Sequence, residues 1–330
     1  MNTVFLERDA IDTSKWDQCI DQSTNGNVYA LSWYLDSCPH PWIALVKRTA
    51  DIYVTVMPLQ IKYRWKVRHV YQHPMTPELG VFSVECLSSE ETRLFAKKAF
   101  SAFRYVAKYR FEDGSLAPDI QGVVKTQYAT YYLPLHEAYP SILRSYSVNR
   151  KRNLRKGRQY DQRVVANTDI GPLLRMFELY TIPRVASSLR WEATMLLSVF
   201  QCAQARKMAE LYYTVDASGE LLAGGLYLFY KNRIVYLFGS ATDQGLRHQS
   251  MTLLMDHLIR KYGGTSYTLD FEGGNTPGLA QFYSSFGAYP VYFSEVQMLR
   301  IPFLLRRLNK IRRRIQLKGT GLAKSLVNRV

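Results

Sequence analysis

Between residues 210 and 298 the hydrophobic periodicity changes in a fixed order, and this order constrains the fold more than any other feature of the chain. Residues 210–215 alternate as a strand, and Asp216-Ala217-Ser218-Gly219 is a turn. Residues 221–230 form a second strand, Lys231-Asn232 a two-residue turn, and residues 233–239 a third strand. Turns this short predict an antiparallel meander. Apolar positions then recur at helical spacing over 247–262, and Gly263-Gly264 stops the helix. A strand at 266–271, a short helix at 277–285 opened by Pro277, and a strand at 291–298 complete a β-β-β-α-β-α-β succession. Periodicity alone makes this a mixed α/β unit.

The remaining residues are too many for the same unit. With 330 residues the chain is long enough for two domains, and its 47% hydrophobic content supplies material for two cores. The upstream pattern predicts a helix at 13–21, strands at 42–47, 51–63 and 65–71, and a loop at 72–77 broken by Pro74 and Pro77. A helix over 89–110 and short strands around Val123 and Tyr131 close this part. Helices at 139–160, 173–180 and 192–206 then lead into the meander. The expected division is an N-terminal domain at 1–140, a C-terminal domain at 141–300, and a tail at 301–330.

Several function classes are excluded. The four cysteines form no CxxC pair and the six histidines no HxxxH or HExxH pattern, so neither a zinc site nor a metal cofactor is expected. There is no P-loop, dinucleotide fingerprint or nucleophile elbow. The first sixteen residues lack an apolar run, and the longest apolar stretch, 221–230, is too short to span a bilayer. A cytoplasmic location is expected.

Charge is unevenly placed. The net charge is +16, and two segments hold all of the excess. Residues 144–163 carry eight basic residues and one acidic; residues 299–330 carry ten basic and none acidic. Such clusters call for an anionic partner: a nucleic acid, a phosphorylated donor, an acidic carrier protein or a membrane surface. In the first, Arg150, Arg152, Arg155 and Lys156 are the candidate anion-binding residues, joined by His73 if that histidine lines a cleft; a solvated helix face is the alternative. In the tail, Leu304, Leu308, Ile311 and Ile315 at helical spacing among arginines describe a basic amphipathic helix. It either rests peripherally on the anionic inner face of a membrane, contacts RNA, or docks on the protein itself.

Two stretches carry a family resemblance. Asp270-Phe271-Glu272-Gly273, followed by Phe282 and Phe286-Gly287, resembles the Asp-Phe-x-Gly…Phe…Phe-Gly pattern of FemXAB-type double-GNAT transferases. Asn275, Ala280, Tyr283 and Gly287 resemble the Asn, Ala, Tyr and Gly of GNAT acyltransferases, with one extra residue before the tyrosine. Residues 146–157, with Arg150, Asn153, Arg155 and Lys156, resemble the basic helix that opens the second domain of FemXAB relatives. The resemblance covers about residues 1–298 and implies a mixed α/β (α+β) sheet in two tandem GNAT-like domains. In that fold the fourth and fifth strands of a domain are parallel and splay apart, and the acyl donor lies in the splay.

The implied activity is transfer of an acyl or aminoacyl group from a thioester or ester to an amine. The co-substrate is then acyl-CoA or another acyl donor, with tRNA or acyl carrier protein as a macromolecular carrier. Two alternatives stay open: an aminoacyl-tRNA-dependent transferase acting on a cell-envelope precursor or lipid, and a non-catalytic double-GNAT module that binds a polyanion. Tyr283 would act as general acid toward the leaving group, or simply pack beside Phe282 and Phe286. Asp270 and Glu272, two apart on a strand, share a face. Glu272 would orient or deprotonate the amine, or else cap a helix or pair with an arginine. A backbone N–H of Phe238 or Gly239 would meet the donor carbonyl, and Asn275 would end the fifth strand. The phosphate loop departs from the family: of its glycines only Gly245 remains, leaving Arg247, His248 and Ser250 as side-chain contacts for phosphate.

Overall fold

A computed structural model describes residues 2–64, 66–111, 123–184 and 193–299. The basic tail expected at 301–330, with its amphipathic helix, lies outside the described residues. The N-terminal half contributes β1 (Asn2–Glu7), α1 (Thr13–Gln22), α2 (Ser32–Asp36), β2 (Trp42–Thr49), β3 (Ile52–Arg64), β4 (Val67–Tyr71), β5 (Phe82–Ser83), α3 (Ser89–Ser101), β6 (Tyr105–Phe111) and β7 (Val123–Pro134). The C-terminal half contributes α4 (Tyr139–Ser145), α5 (Val148–Arg158), β8 (Gln162–Asn167), α6 (Gly171–Met176), α7 (Ala193–Ala205), β9 (Ala209–Asp216), β10 (Leu221–Tyr230), β11 (Arg233–Ala241), α8 (Asp243–Arg247), α9 (Ser250–Tyr262), β12 (Thr268–Asp270), α10 (Pro277–Ser284) and β13 (Tyr289–Leu299).

Local chemistry fixes many of these boundaries. Asp12 caps α1 by accepting the Ser14 and Lys15 N–H groups. Ser88 and Glu91 form a reciprocal capping box on α3. The β10–β11 turn needs a left-handed residue and takes Lys231 at φ 50°.

The helix expected over 89–110 ends at Ser101, and β6 takes its last residues. Phe103 and Val106 fit a helical spacing by coincidence; pairing with β4 and β13 overrides it. The helix expected at 139–160 is two helices, because the Ser147 side chain caps a second start by accepting the Arg150 N–H. That expected at 247–262 begins only at Ser250, after Gln249 in the left-handed region. Strand β8 gave no signal of its own: it is a polar, half-exposed edge strand.

All strands join one mixed sheet in the order β1-β2-β3-β4-β6-β13-β7-β12-β11-β10-β9-β8, with β5 beside β3. The halves exchange edges. β13, from the end of the described chain, lies antiparallel between β6 and β7, and β7 pairs in turn with β12. One face of the C-terminal half of the sheet packs under α4, α5, α9 and α10, with Ile234, Leu269 and Phe271 in that core. Val235 and Leu237 point to the other core, which is continuous with the N-terminal half. Arg233 reaches Glu78 across the junction at 2.6 Å, and Lys231 donates to the Ile20 and Ser23 carbonyls.

Candidate active site at the strand divergence

Strands β11 and β12 are parallel and pair over three positions only, Arg233 with Thr268, Ile234 with Leu269, and Val235 with Asp270. Beyond them the strands part. β11 continues along β10 to Ala241. The chain after Asp270 instead follows β7: the Phe271 N–H donates to the Tyr131 carbonyl, and the Asn275 side chain pairs with both backbone groups of Ala129. The edge of β11 that faced β12 therefore has no strand on it after Val235, among the described residues. A bulge in β11, where Leu226 opposes Phe238 while Tyr227 opposes Tyr236, bends this segment further. Phe238 and Gly239 lie on it, so their backbone forms one wall of the slot. Gly239 is needed there because a Cβ would fall 1.9 Å from the Tyr236 hydroxyl.

The opposite wall owes its shape to Glu272-Gly273-Gly274, three successive left-handed residues with φ of 47°, 82° and 125°. A side chain at Gly274 would enter the Tyr131 ring. The turn swings Glu272 out of the strand while leaving Asp270 within it. Asp270 is buried and fully engaged: it accepts from Thr130 Oγ1 at 2.6 Å and from the Glu272 N–H at 2.9 Å, and lies 3.7 Å from Arg233. Burial and the nearby Glu78 push its carboxyl above the usual range, with Arg233 opposing them. Glu272 is half-buried, and among the described residues its carboxylate has no hydrogen-bond or ion-pair partner. Desolvation, then repulsion from Asp270 and Glu78, raises its pKa strongly.

Tyr283, on α10, stacks on Phe271 at 4.7 Å between ring centroids. Burial raises its phenol well above the ordinary value, and Tyr236, Glu272 and Asp270 add to the rise. It thus stays protonated and able to donate. Tyr283, Glu272 and Asp270 come together with Tyr236, a residue that the sequence reading missed. Its position two residues before Phe238 on the bulged strand was the available clue.

The other sequence candidates fall elsewhere. Asn275 pins the turn to β7. Gly245 packs against β10, where a Cβ would lie 1.9 Å from the Leu222 carbonyl. Ser250 is fully buried and donates to Gln162 at 2.7 Å. His248 stacks on Tyr160 at 3.8 Å, and Arg247 is exposed on α8. The N–H groups of Gly245, Leu246, His248 and Gln249 all bond within residues 242–249. The segment where a phosphate cradle was sought is a closed short helix.

Arg150 is buried, donating to Ser285 and Thr252 and lying over the Phe282 and Phe286 rings; burial lowers its pKa to about 10. It ties α5 to α9 and α10. Arg152, Arg155 and Lys156 are exposed on α5, whose Gly157 abuts the His248 carbonyl. His73 belongs to neither group. It is buried in the loop after β4, where its Nδ1 accepts the Met75 N–H, and burial lowers its pKa to about 4.

The N-terminal half repeats the parallel pair in β4 and β6, joined at Val70–Val106 and Tyr71–Lys108. Here the divergence is closed. The Gln72 side chain accepts from the Arg110 N–H at 2.5 Å and donates to the Thr76 carbonyl, and Leu79 bridges back to Phe111. In the C-terminal half, among the described residues, no such bridge rejoins β11 to the chain after Asp270.

No family model and no curated protein matches the sequence. Solved structures do. FemX superposes with a TM-score of 0.62 at 13% identity, over 89% of this chain and 97% of FemX. The chain has the tandem GNAT fold of FemX. A conserved Bacteroides thetaiotaomicron protein of unknown function shares this FemX-like fold (TM-score 0.59, 11% identity, 88% and 98% covered). So does L-PGS from Bacillus licheniformis (0.53, 10%, 92% and 96%). No cluster of potential metal ligands occurs among the described residues, and none of their helices is long and apolar enough to cross a membrane.

Proposed function

We propose that the chain is an N-acyl- or N-aminoacyltransferase that works at the β11–β12 divergence. The observation that carries this is the parting of β11 from β12 after Val235 and Asp270, with the bulged segment of β11 on one side and Glu272 and Tyr283 on the other. The donor carbonyl lies along β11, where a backbone N–H of the bulged segment at Phe238 or Gly239 stabilises the tetrahedral oxyanion. Glu272, whose raised pKa makes it a stronger base than an ordinary carboxylate, takes a proton from the acceptor amine as it attacks. The C–N bond forms, the bond from carbonyl carbon to the donor's sulfur or oxygen breaks, and Tyr283 protonates the departing atom. Asp270 positions Glu272 by accepting its backbone N–H.

The closed α8 segment favours an ester donor on a nucleic acid over acyl-CoA, because the amides that would hold a pyrophosphate are already bonded. Arg152, Arg155 and Lys156, on the helix packed beside that segment, suit the phosphates of an aminoacyl-tRNA. A thermal-shift titration with acetyl-CoA and with aminoacyl-tRNA separates the donors. Stabilisation by the RNA, weakening steeply with salt, is expected; stabilisation by acetyl-CoA alone reverses the choice. Response to neither, together with no transfer to any amine, removes the transferase reading.

A further inference from the structure

The N-terminal half carries its own cluster of charged and titratable side chains, beside the β4–β6 divergence that Gln72 closes. Lys108 and Arg110 lie two apart on β6 and so share a face of the sheet. Lys108 registers with Tyr71 of β4, and Arg110 with Glu295 of β13. Lys62, reaching over from β3, sets its ammonium 3.6 Å from the centre of the Tyr71 ring. The His40 ring meets that tyrosine edge-on at 5.8 Å and lies 6.1 Å from the His73 ring. His73 in turn is within electrostatic reach of both lysines.

This cluster is short of negative charge. Glu295 is the carboxylate that acts on Lys108, and it is already engaged, accepting from Arg110 at 2.9 Å and from the Gln297 side chain at 3.2 Å. The Lys108 ammonium has no hydrogen-bond or ion-pair partner among the described residues, although the residue is half-buried in a strand with neighbours on both sides. Burial and then Arg110 lower its pKa to about 8. His73 brings no negative charge, since its own lowered pKa keeps it neutral. A lysine kept for solubility carries its head out into water, and one kept for packing gives way to an apolar chain. Lys108 does neither: it holds a charge, partly desolvated, against other cations. A bound anion is what such an arrangement suits.

We propose that the Lys62–Lys108 cluster of the N-terminal half is a binding site for the phosphate or carboxylate group of a small molecule. The two ammonium groups are the charge partners of that anion. Arg110, fixed by Glu295 and lying over the Tyr128 ring at 4.2 Å, adds positive potential from behind. His73 accepts the Met75 N–H at Nδ1, so its neutral ring carries the proton on Nε2 and adds an N–H donor to the cluster. This site is distinct from the exposed arginines of α5, and it stands whether or not the chain is a transferase.

The test uses the full chain at about pH 7, where a lysine with a pKa of about 8 is still mostly charged. Histidine ring signals are followed by NMR while inorganic phosphate, pyrophosphate or succinate is added. At least one of these anions is expected to bind in the millimolar range or tighter and to shift the His40 and His73 signals. Comparing the two phosphates with succinate tells a phosphate site from a carboxylate site. Lys108→Met is expected to weaken that binding about tenfold, in keeping with loss of a close charge partner. It should leave the melting temperature unchanged or higher, since among the described residues the ammonium has no bonded partner to lose. Lys62→Met is the companion should the first variant fail to fold, with the same weakening expected. No shift of His40 or His73 at about 50 mM of any probe, far above the millimolar range of weak ligands, overturns the proposal. So does unaltered affinity in Lys108→Met, or in Lys62→Met where the first does not fold. A shift confined to His248 also overturns it, by placing the anion on the arginines of α5.

Discussion

Glu272 is the residue on which stability and chemistry oppose each other most directly. Its carboxylate sits at a left-handed position, partly desolvated, beside two other carboxylates and, among the described residues, with no bonded partner. Its pKa is raised in the folded protein. Between the ordinary carboxylate range and that raised value, the folded state holds a proton that the unfolded chain has released. Stability therefore falls as pH rises through this window, and the loss is complete above the folded pKa. Glu272→Gln removes the titration without removing a contact. The variant should melt higher than the parent at about pH 8 and differ little at about pH 4, while losing transfer activity. A lower melting temperature at pH 8 would show that the carboxylate has a stabilising partner. Tyr283→Phe keeps the stack on Phe271 and deletes only the proton donor. Turnover should fall by about 10²-fold or more, as for loss of a general acid, with the fold intact. Unchanged turnover would take Tyr283 out of the mechanism.

The closed helix α8 leads to a prediction at the level of elements. Gly245 lets α8 lie on β10 with no room for a methyl group. Gly245→Ala should push α8 away and destabilise the protein by roughly 1–3 kcal/mol, the usual cost of overpacking; denaturant unfolding measures it. A neutral result would mean the contact yields easily and α8 is less fixed than its hydrogen bonds imply. The same region shows what sequence can and cannot carry. The meander 209–241 was legible because alternation and two tight turns are local signals. The parting of β11 and β12 was legible only through Asp270-Phe271-Glu272-Gly273 and its resemblance, since divergence of two strands is a non-local property. That Arg150 is a buried tie and Ser250 a buried donor could not be read, because a basic run looks the same whether its members face solvent or Phe282 and Phe286. Helix 89–110 was overextended because a strand held by β4 and β13 overrides local spacing.

The exchange of edges decides whether the two halves can exist apart. β13 fills the gap between β6 and β7, and its Val296 and Met298 are buried in the core shared with the N-terminal half. Without β13, residues 1–134 would expose two facing strand edges and an apolar strip between them, a combination that invites aggregation. Glu78 would also lose Arg233 and the slot its third carboxylate, so the halves are coupled in chemistry as well as in packing. The whole chain should therefore unfold as one unit, with far-ultraviolet circular dichroism and tryptophan fluorescence giving coincident urea transitions. Residues 1–134 made alone should show no cooperative transition, and adding residues 135–299 should restore one. Cooperative unfolding of the isolated N-terminal part would mean that β6 and β7 close on each other without β13, and that Glu78 reaches the site from an independently stable domain.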